Sequence, residues 1–246
     1  MQGENTAIWN LVQYLLVRWQ LPDGSAAKAA LILGGAFLCI AVAYLLGSLN
    51  AVILIAKAKY GEDIREFGSG DAQPSDLKQR YGIKSAVVAV VLDILKTAAA
   101  YWFGVFLFFG FTGGAIAGFF AVFGHIFPIF FKFRGGKGVI CFATVACLTN
   151  PIVFAVSLFV WAVVAFGTRF VSLSSVMAVM IYPLLLRAIP WNGAGMEVAM
   201  AIAAAVSVAF RHKQNLTRIY HAQEPKWEPF KKNSKSESSQ KGGKNP

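Results

Sequence analysis

Charged residues are scarce in this sequence. Asp, Glu, Lys and Arg together make up 14% of the 246 residues, about half of their share in an ordinary soluble domain. Hydrophobic residues make up 57%, and they gather in several runs that are long enough to cross a lipid bilayer. An ordinary soluble enzyme is therefore excluded, and the sequence predicts an integral membrane protein.

Cysteine is also rare. Cys39, Cys141 and Cys147 lie in or beside apolar segments, and their spacing does not fit a metal site. We therefore predict that they are small buried residues rather than disulfide partners or metal ligands. We also expect neither a metal nor a cofactor. Residues 1–27 lack the basic start, apolar core and small-residue cleavage site of a signal peptide, so we expect no cleaved leader.

Acidic residues are about half as frequent as basic ones, 12 against 23, which gives a formal net charge of +11. An excess of basic charge is also typical of nucleic-acid-binding proteins. Here, however, the basic residues lie in short loops between apolar runs and in the C-terminal segment. This placement follows the positive-inside rule and predicts contact with anionic lipids, with no nucleic-acid partner.

Seven apolar segments predict an all-α membrane fold with seven spans. They cover about 29–56, 85–109, 112–131, 137–149, 151–167, 171–189 and 194–210. The third segment contains Gly124 and Pro128, which predict a break, and the fourth is short for a bilayer.

Most Lys and Arg residues fall on one side of these spans, which places the C-terminus in the cytoplasm and the N-terminus outside. We predict an N-terminal extracytoplasmic or interfacial segment (1–27), a seven-helix domain (28–213) and a basic cytoplasmic tail (214–246), disordered after about 228. Residues 7–19 are too short to span and suggest an interfacial helix. An eighth span there would change the orientation.

Chemically active residue types gather in four segments on the side predicted to be cytoplasmic. These segments are 65–80, 124–138, 168–172 and 211–224. A membrane protein without a ligand would not need glycine turns, His, Asn, Ser and Lys at one face. The convergence predicts a site at that face.

The most specific of these segments reads RGGKG at 134–138. Gly135, Gly136 and Gly138 allow successive backbone amides to point into one concavity, and Lys137 adds a positive charge. The following helix N-terminus adds a partial positive charge. The pattern predicts a site for phosphate or acyl phosphate, with a flexible basic loop as the alternative. It does not fit a P-loop.

Two other groups of polar residues have helical spacing. His212 and Asn215 are three residues apart and share a helix face, where they either bind and deprotonate a hydroxyl or form a solvated helix end. Asp93 and Lys96 lie three apart within the second span, which predicts an ion pair inside the bundle. We expect a structural hydrogen bond for His125.

Taken together, the chain resembles the bacterial acyl-phosphate:glycerol-3-phosphate acyltransferases, the PlsY family. The resemblance lies in GSLNAVILIAK, DIREFGSG, LDILK, GHIFPIFFKFRGGKGV, TRFVSL and RHKQNLTRIYHAQE, in this order. It implies a seven-span enzyme of the bacterial plasma membrane with its active site at the cytoplasmic face. Members transfer an acyl group from acyl phosphate to the sn-1 hydroxyl of glycerol 3-phosphate, which yields lysophosphatidic acid and phosphate for phospholipid synthesis.

The resemblance also implies roles for individual residues. Ser69 and Gly70 would hold the acyl phosphate, Lys137 would bind phosphate and stabilise charge at the carbonyl, and His212 with Asn215 would bind glycerol 3-phosphate. The hydroxyl would attack directly, because an acyl phosphate is already activated.

The chain departs from the family pattern after GSG, which usually reads Asn-x-Gly-Ala-Thr-Asn-x-x-Arg. Asp71 and Asp76 stand where Asn is usual, and Gln79 stands where Arg is usual. Ser75 keeps a hydroxyl, and Arg80 would replace the arginine if the register shifted by one. The chain is thus a divergent member with an altered GSG loop.

Three functions remain open on the sequence. The chain is either an active acyltransferase with the usual substrates, a binding or regulatory membrane protein of the same family without this activity, or an acyltransferase with another acceptor or donor. Two carboxylates beside a phosphate site would repel a dianion.

Overall fold

The computed structural model describes residues 10–68, 70–189 and 195–227. All regular structure in these residues is helical. The helices are α1 (Leu11–Arg18), α2 (Ala26–Ser48), α3 (Ala51–Tyr60), α4 (Pro74–Tyr81), α5 (Ile83–Leu107), α6 (Phe111–Ile126), α7 (Val139–Thr149), α8 (Pro151–Thr168), α9 (Val171–Ala188), α10 (Gly195–Arg211) and α11 (Lys213–Tyr220). Two short 3₁₀ turns lie at Ile64–Glu66 and Ile129–Phe131.

Five helical segments of the described chain are long and apolar enough to cross a membrane. They are α2, α5, Phe111–Phe131, α8 and α9. α10 and α11 make a sixth span if they are counted together, although they are bent by 52°. α7 is apolar but has only 11 residues, which cover about 16 Å. Each of the seven predicted segments overlaps an apolar helix, the first of them both α2 and α3, and the all-α prediction is confirmed.

The predicted first span, 29–56, is not continuous. α2 ends at Ser48, and Asn50 begins a new helix by accepting a hydrogen bond from the Ile53 amide at 3.1 Å. In the predicted third span the helix continues through Gly124 and ends before Pro128. A proline removes a backbone donor, whereas a glycine packed against a neighbouring helix does not interrupt the ladder.

Small residues bring α6 directly against α2 and α5. A Cβ atom on Gly47 would overlap the backbone of Ala121, and one on Gly104 would overlap the carbonyl of Gly113. Helix backbones touch in this way in membranes because small residues leave no side chain between them. The close packing fixes α6 and therefore the loop that follows it.

A buried polar group lies where α2 breaks. Lys96 on α5 donates hydrogen bonds to the carbonyls of Gly47 (3.1 Å) and Leu49 (2.6 Å), and its Nζ lies 2.8 Å from Asp93 Oδ1 and 3.1 Å from His125 Nδ1. The ammonium thus satisfies carbonyls that the end of α2 leaves unpaired. Cys141 completes a set with Asp93 and His125 whose ligand-type atoms lie within 4.8 Å of one another, but the Lys96 ammonium already supplies positive charge there.

The start of the predicted tail, 214–246, belongs to the folded body. α11 follows α10 at once, and the Trp227 amide donates a 2.7 Å hydrogen bond to the carbonyl of Arg169, between α8 and α9. Residues 228–246, predicted to be disordered, lie outside the described residues. The interfacial helix predicted at 7–19 corresponds to α1, and residues 1–9 also lie outside.

Candidate active site

The main cavity has a volume of about 900 Å³ and is bordered by α4, α7, α8, α9 and the residues after α10. Polar side chains on its wall come from distant parts of the chain, among them Ser75, Lys137, Ser172, His212, Asn215, Arg218 and Glu224. The wall also contains apolar side chains, and on α8 and α9 these include Phe154, Leu158, Trp161 and Val179. A cavity with one polar and one apolar part suits a ligand that has a charged head and a hydrocarbon chain.

Lys137 is a buried cation on the wall of this cavity. Its residue exposure is 8%, and burial lowers the pKa of the ammonium below its usual value. The Asp71 carboxylate lies near it, with Oδ2 4.0 Å from Nζ. A partly desolvated ammonium interacts with an anion more strongly than an exposed one does, because the local dielectric is low.

The glycines before Lys137 have a role that the sequence did not predict. The Gly135 amide donates to the carbonyl of Ile126, and the Gly136 amide donates to the carbonyl of His125, both at 3.2 Å. The prediction that these two amides converge on an anion is therefore wrong. Both glycines instead allow the loop to lie against the end of α6, since a Cβ on Gly135 would overlap the His125 carbonyl.

The first turn of α7 does face the cavity. Gly138, Val139 and Ile140 are on the wall, and Gly138 has φ +79°, a left-handed conformation that suits glycine. The partial positive charge of the helix N-terminus thus lies beside the Lys137 ammonium. The helix N-terminus is thus placed at the cavity, and anion binding there stays a prediction.

Glu224 connects three of the site elements. Its Oε1 accepts hydrogen bonds from Ser172 on α9 and Asn215 on α11, both at 2.7 Å, and its Oε2 accepts one from Arg218 at 2.8 Å. Burial alone would raise the pKa of Glu224, but these hydrogen bonds lower it, so the carboxylate is ionised at neutral pH. Glu224 lies in the last of the four polar segments, but no sequence pattern predicts its role, because its partners lie on two different helices.

His212 is 2% exposed, and its Nδ1 lies 2.8 Å from the carbonyl of Val208. A carbonyl only accepts, so Nδ1 carries the proton and Nε2 is the nitrogen that can accept another. Burial lowers the pKa of His212 below its ordinary value, and the ring is neutral at pH 7. A neutral imidazole with an available nitrogen fits the predicted interaction with a hydroxyl.

Asp71, which stands where the family usually has Asn, lies between the side chains of Arg211 and Lys137. Its Oδ1 accepts a 2.8 Å hydrogen bond from the Arg211 guanidinium, and its Oδ2 approaches Lys137. The added carboxylate is thus partly neutralised by Arg211.

The remaining predicted site residues are placed differently. Ser75 and Gln79 line the cavity, while the wall as described does not include Gly70 or Arg80. The Arg80 guanidinium pairs with Glu62 at 2.8 Å and lies 3.5 Å from the centre of the Phe67 ring. The structure thus gives the Arg80 guanidinium contacts away from the cavity wall, and substrate binding by Arg80 stays a prediction. Ser69 lies outside the described residues.

Comparison with known proteins gives a consistent set of relatives. The family model described as glycerol-3-phosphate acyltransferase matches residues 37–222. Among curated proteins of that name, the chain is 35% identical to one of Thermoanaerobacter sp. (strain X514), over 75% of this chain and 92% of the relative. It is 37% identical to one of Bacillus cytotoxicus, over 77% of this chain and 94% of the relative.

Two solved structures are similar in fold. One is the crystal structure of PlsY (YgiH), an integral membrane glycerol 3-phosphate acyltransferase, in its glycerol 3-phosphate form. It is 31% identical to this chain, with a TM-score of 0.71, over 78% of this chain and 96% of that chain. The other, the lysophosphatidic acid form, is 29% identical, with a TM-score of 0.68, over 78% of this chain and 95% of that chain.

Proposed function

The chain belongs to the glycerol-3-phosphate acyltransferase family as a multi-pass membrane enzyme, and we propose that it transfers an acyl group from acyl phosphate to the sn-1 hydroxyl of glycerol 3-phosphate. The products are lysophosphatidic acid and inorganic phosphate, for use in phospholipid synthesis. The observation that carries the proposal is the cavity in which buried Lys137 and the α7 N-terminus adjoin an apolar portion.

The donor has a charged head and a hydrocarbon chain, and the cavity has a polar part and an apolar part to receive them. Its phosphate binds at Lys137 and the first turn of α7, where positive charge is concentrated. Its hydrocarbon chain lies along Phe154, Leu158 and Val179 on α8 and α9. Ser75, which belongs to the altered GSG loop, lies on the same wall, and we assign it to the donor. We keep for Ser69 and Gly70 the donor role that the family resemblance implies.

The acceptor binds at the other polar wall. Asn215 and Arg218, held by Glu224, bind the phosphate and hydroxyls of glycerol 3-phosphate, and His212 approaches the sn-1 hydroxyl. Glu224 acts as a positioning residue, because its oxygens are engaged by the side chains that it orients. Lys137 also stabilises the negative charge that develops on the carbonyl oxygen.

The reaction needs no covalent enzyme intermediate. The hydroxyl oxygen attacks the carbonyl carbon, the new ester C–O bond forms, and the C–O bond to phosphate breaks. The hydroxyl proton passes to His212 Nε2 and then to the departing phosphate, so the enzyme is unchanged at the end. Alignment of both substrates in one cavity supplies the entropic part of the rate enhancement.

We place the enzyme in the bacterial plasma membrane, with its N-terminus outside and its C-terminus in the cytoplasm. The basic loops that surround the site support this orientation. Glycerol 3-phosphate is water-soluble, and a site open to the cytoplasm would receive it directly.

The proposal is tested by measuring phosphate release from palmitoyl phosphate by the purified protein in lipid. Release that requires glycerol 3-phosphate, with lysophosphatidic acid formed in equal amount, is the expected result. Phosphate release that is independent of glycerol 3-phosphate, or none at all from a folded preparation, would overturn the proposal.

The pH profile tests the assignment of the base. Because burial lowers the pKa of His212, protonation of the ring requires a pH below its ordinary value of about 6.5. We expect kcat/KM to be constant above about pH 6.5 and to fall at lower pH, where His212 gains a proton. His212→Gln should lower kcat/KM about 10²- to 10⁴-fold and remove this acidic limb. If the limb is unchanged in His212→Gln, a substrate phosphate oxygen is the base instead.

A different acceptor is the second candidate function, and the position of Asp71 favours it. The carboxylate lies beside Lys137 and Arg211, two cations that would otherwise be available to a dianionic phosphate alone. The Asp71 carboxylate would repel a phosphorylated acceptor more strongly than a neutral polyol. Phosphate release from palmitoyl phosphate with glycerol as acceptor measures this alternative.

Asp71→Asn tests whether this carboxylate opposes a phosphorylated substrate. Removing the carboxylate should lower the KM for glycerol 3-phosphate or for the donor about 3- to 10-fold, because a repulsive charge is lost near Lys137. Glu66→Gln is the matched control, since it removes one negative charge from an exposed position near the same loop. If Asp71→Asn raises both KM values, Asp71 is needed to orient Arg211 and does not oppose the substrate.

A further inference from the structure

The four residues from Glu224 to Trp227 cross the edge of the cavity, and we call them the C-terminal strap. The region that matches the family ends at residue 222, so the strap lies beyond it. Pro225, Lys226 and Trp227 all line the main cavity. The strap is therefore part of the site wall, although the family match does not include it.

Both ends of the strap are attached. Glu224 is held by Ser172, Asn215 and Arg218 at the polar end. At the other end the Trp227 amide donates to the carbonyl of Arg169 at 2.7 Å. The strap thus runs from the polar wall of the cavity to the connection between α8 and α9.

The Trp227 ring packs against the apolar side of the cavity. Its centre lies 6.2 Å from the Trp161 ring and 5.5 Å from the Phe166 ring, both on α8. The Trp161 indole in turn donates a hydrogen bond to Ser175 Oγ on α9, at 3.3 Å. The two indoles therefore form one aromatic surface across α8 and α9.

This surface continues into the apolar portion of the cavity. Phe154, Leu158 and Trp161 are three or four residues apart on α8, so they share one face of that helix. They extend about 10 Å along the helix axis. A hydrocarbon chain lying on this face would contact the two indoles at one end and Phe154 at the other.

We propose that Trp227 contacts the acyl chain of the donor and sets the affinity of the enzyme for long-chain acyl phosphates. This inference rests on the proposed function, since it assigns the apolar cavity to the donor. A rigid aromatic side chain suits this role because it offers a large apolar area and loses little conformational entropy on binding.

The test compares the KM values of the two substrates in Trp227→Ala. We expect the KM for palmitoyl phosphate to rise about tenfold, because the acyl chain buries less apolar area against alanine than against tryptophan. The KM for glycerol 3-phosphate should stay within about twofold of the wild-type value. The increase should shrink for an eight-carbon donor, and Trp227→Phe should recover most of the affinity. Trp19→Ala, at an exposed tryptophan on the far end of α1, is the matched control.

A rise in the KM for glycerol 3-phosphate in Trp227→Ala would overturn the inference, because it would mean that the strap serves only to hold Glu224. An unchanged KM for palmitoyl phosphate would overturn it as well.

A binding experiment tests the contact without turnover. p-Benzoylphenylalanine is placed at position 227 and, as control, at position 19, and each protein is irradiated with radiolabelled hexadecylphosphonate in lipid. We expect crosslinking at position 227 that excess palmitoyl phosphate prevents, and no such competition at position 19. Crosslinking at 227 that palmitoyl phosphate does not reduce would refute the contact. Competed crosslinking in a protein without glycerol 3-phosphate-dependent turnover would refute the proposed reaction and leave the contact standing.

Discussion

Replacing Lys137 by alanine is expected to lower kcat/KM about 10²- to 10³-fold, the usual effect of removing one preorganised group that stabilises a developing oxyanion. Lys137 is buried and lies at the start of α7, beside the positive end of that helix. Water cannot replace the ammonium as readily as it would at an exposed site. The initial rate of phosphate release at low palmitoyl phosphate, with saturating glycerol 3-phosphate, measures the loss.

Lys132→Ala is the matched control, because Lys132 lies in the same loop but is exposed. It should retain activity within about threefold, since exposed charges contribute little at physiological salt. Both variants need equal yields of folded protein in lipid for the comparison. Equal activity of Lys137→Ala and Lys132→Ala would show that the buried ammonium has no role in the reaction.

Replacing Gly135 by alanine is expected to abolish most activity and to lower the thermal unfolding temperature. The added Cβ would overlap the carbonyl of His125 and approach the Pro128 ring at 2.6 Å. These are largely backbone contacts that cannot rotate away, so the loop must move from the end of α6. Overpacking of this kind costs about 1–3 kcal/mol or more, and the displacement carries Lys137 away from the cavity.

Gly167→Ala is the control for the substitution itself, since a Cβ at Gly167 has no neighbour within 4 Å. It should be neutral or slightly stabilising, because alanine favours the helical conformation. Thermal unfolding and specific activity are measured on both variants. Wild-type activity in Gly135→Ala would mean that the contact between loop and α6 does not position Lys137.

The helices were predictable because their pattern is strong and local. Long apolar runs interrupted by basic loops require membrane helices, since a bilayer leaves backbone groups no other partner. The break at Asn50 was not predicted, because a single polar residue within an apolar run is compatible with a continuous membrane helix. Only the structure shows that Lys96, on another helix, satisfies the carbonyls at that break.

The site was predictable in part. The residue types of the RGGKG and RHKQN segments indicated Lys137, His212 and Asn215, and all three line one cavity. The sequence could not show where the Gly135 and Gly136 amides point, because their partners lie on another element. Nor could it show that the Arg80 guanidinium is held by Glu62, since such a pairing depends on the path of the intervening loop.

Glu224 also has a consequence for the biosynthesis of the protein. The chain emerges from the ribosome N-terminus first, at about 5–20 residues per second, and Glu224 follows all the apolar helices in the sequence. Until it arrives, Ser172, Asn215 and Arg218 lack the carboxylate that joins them. A nascent chain with all its apolar helices inserted therefore lacks a complete acceptor wall. Premature termination before residue 224 would leave a membrane-embedded protein that is inactive towards glycerol 3-phosphate.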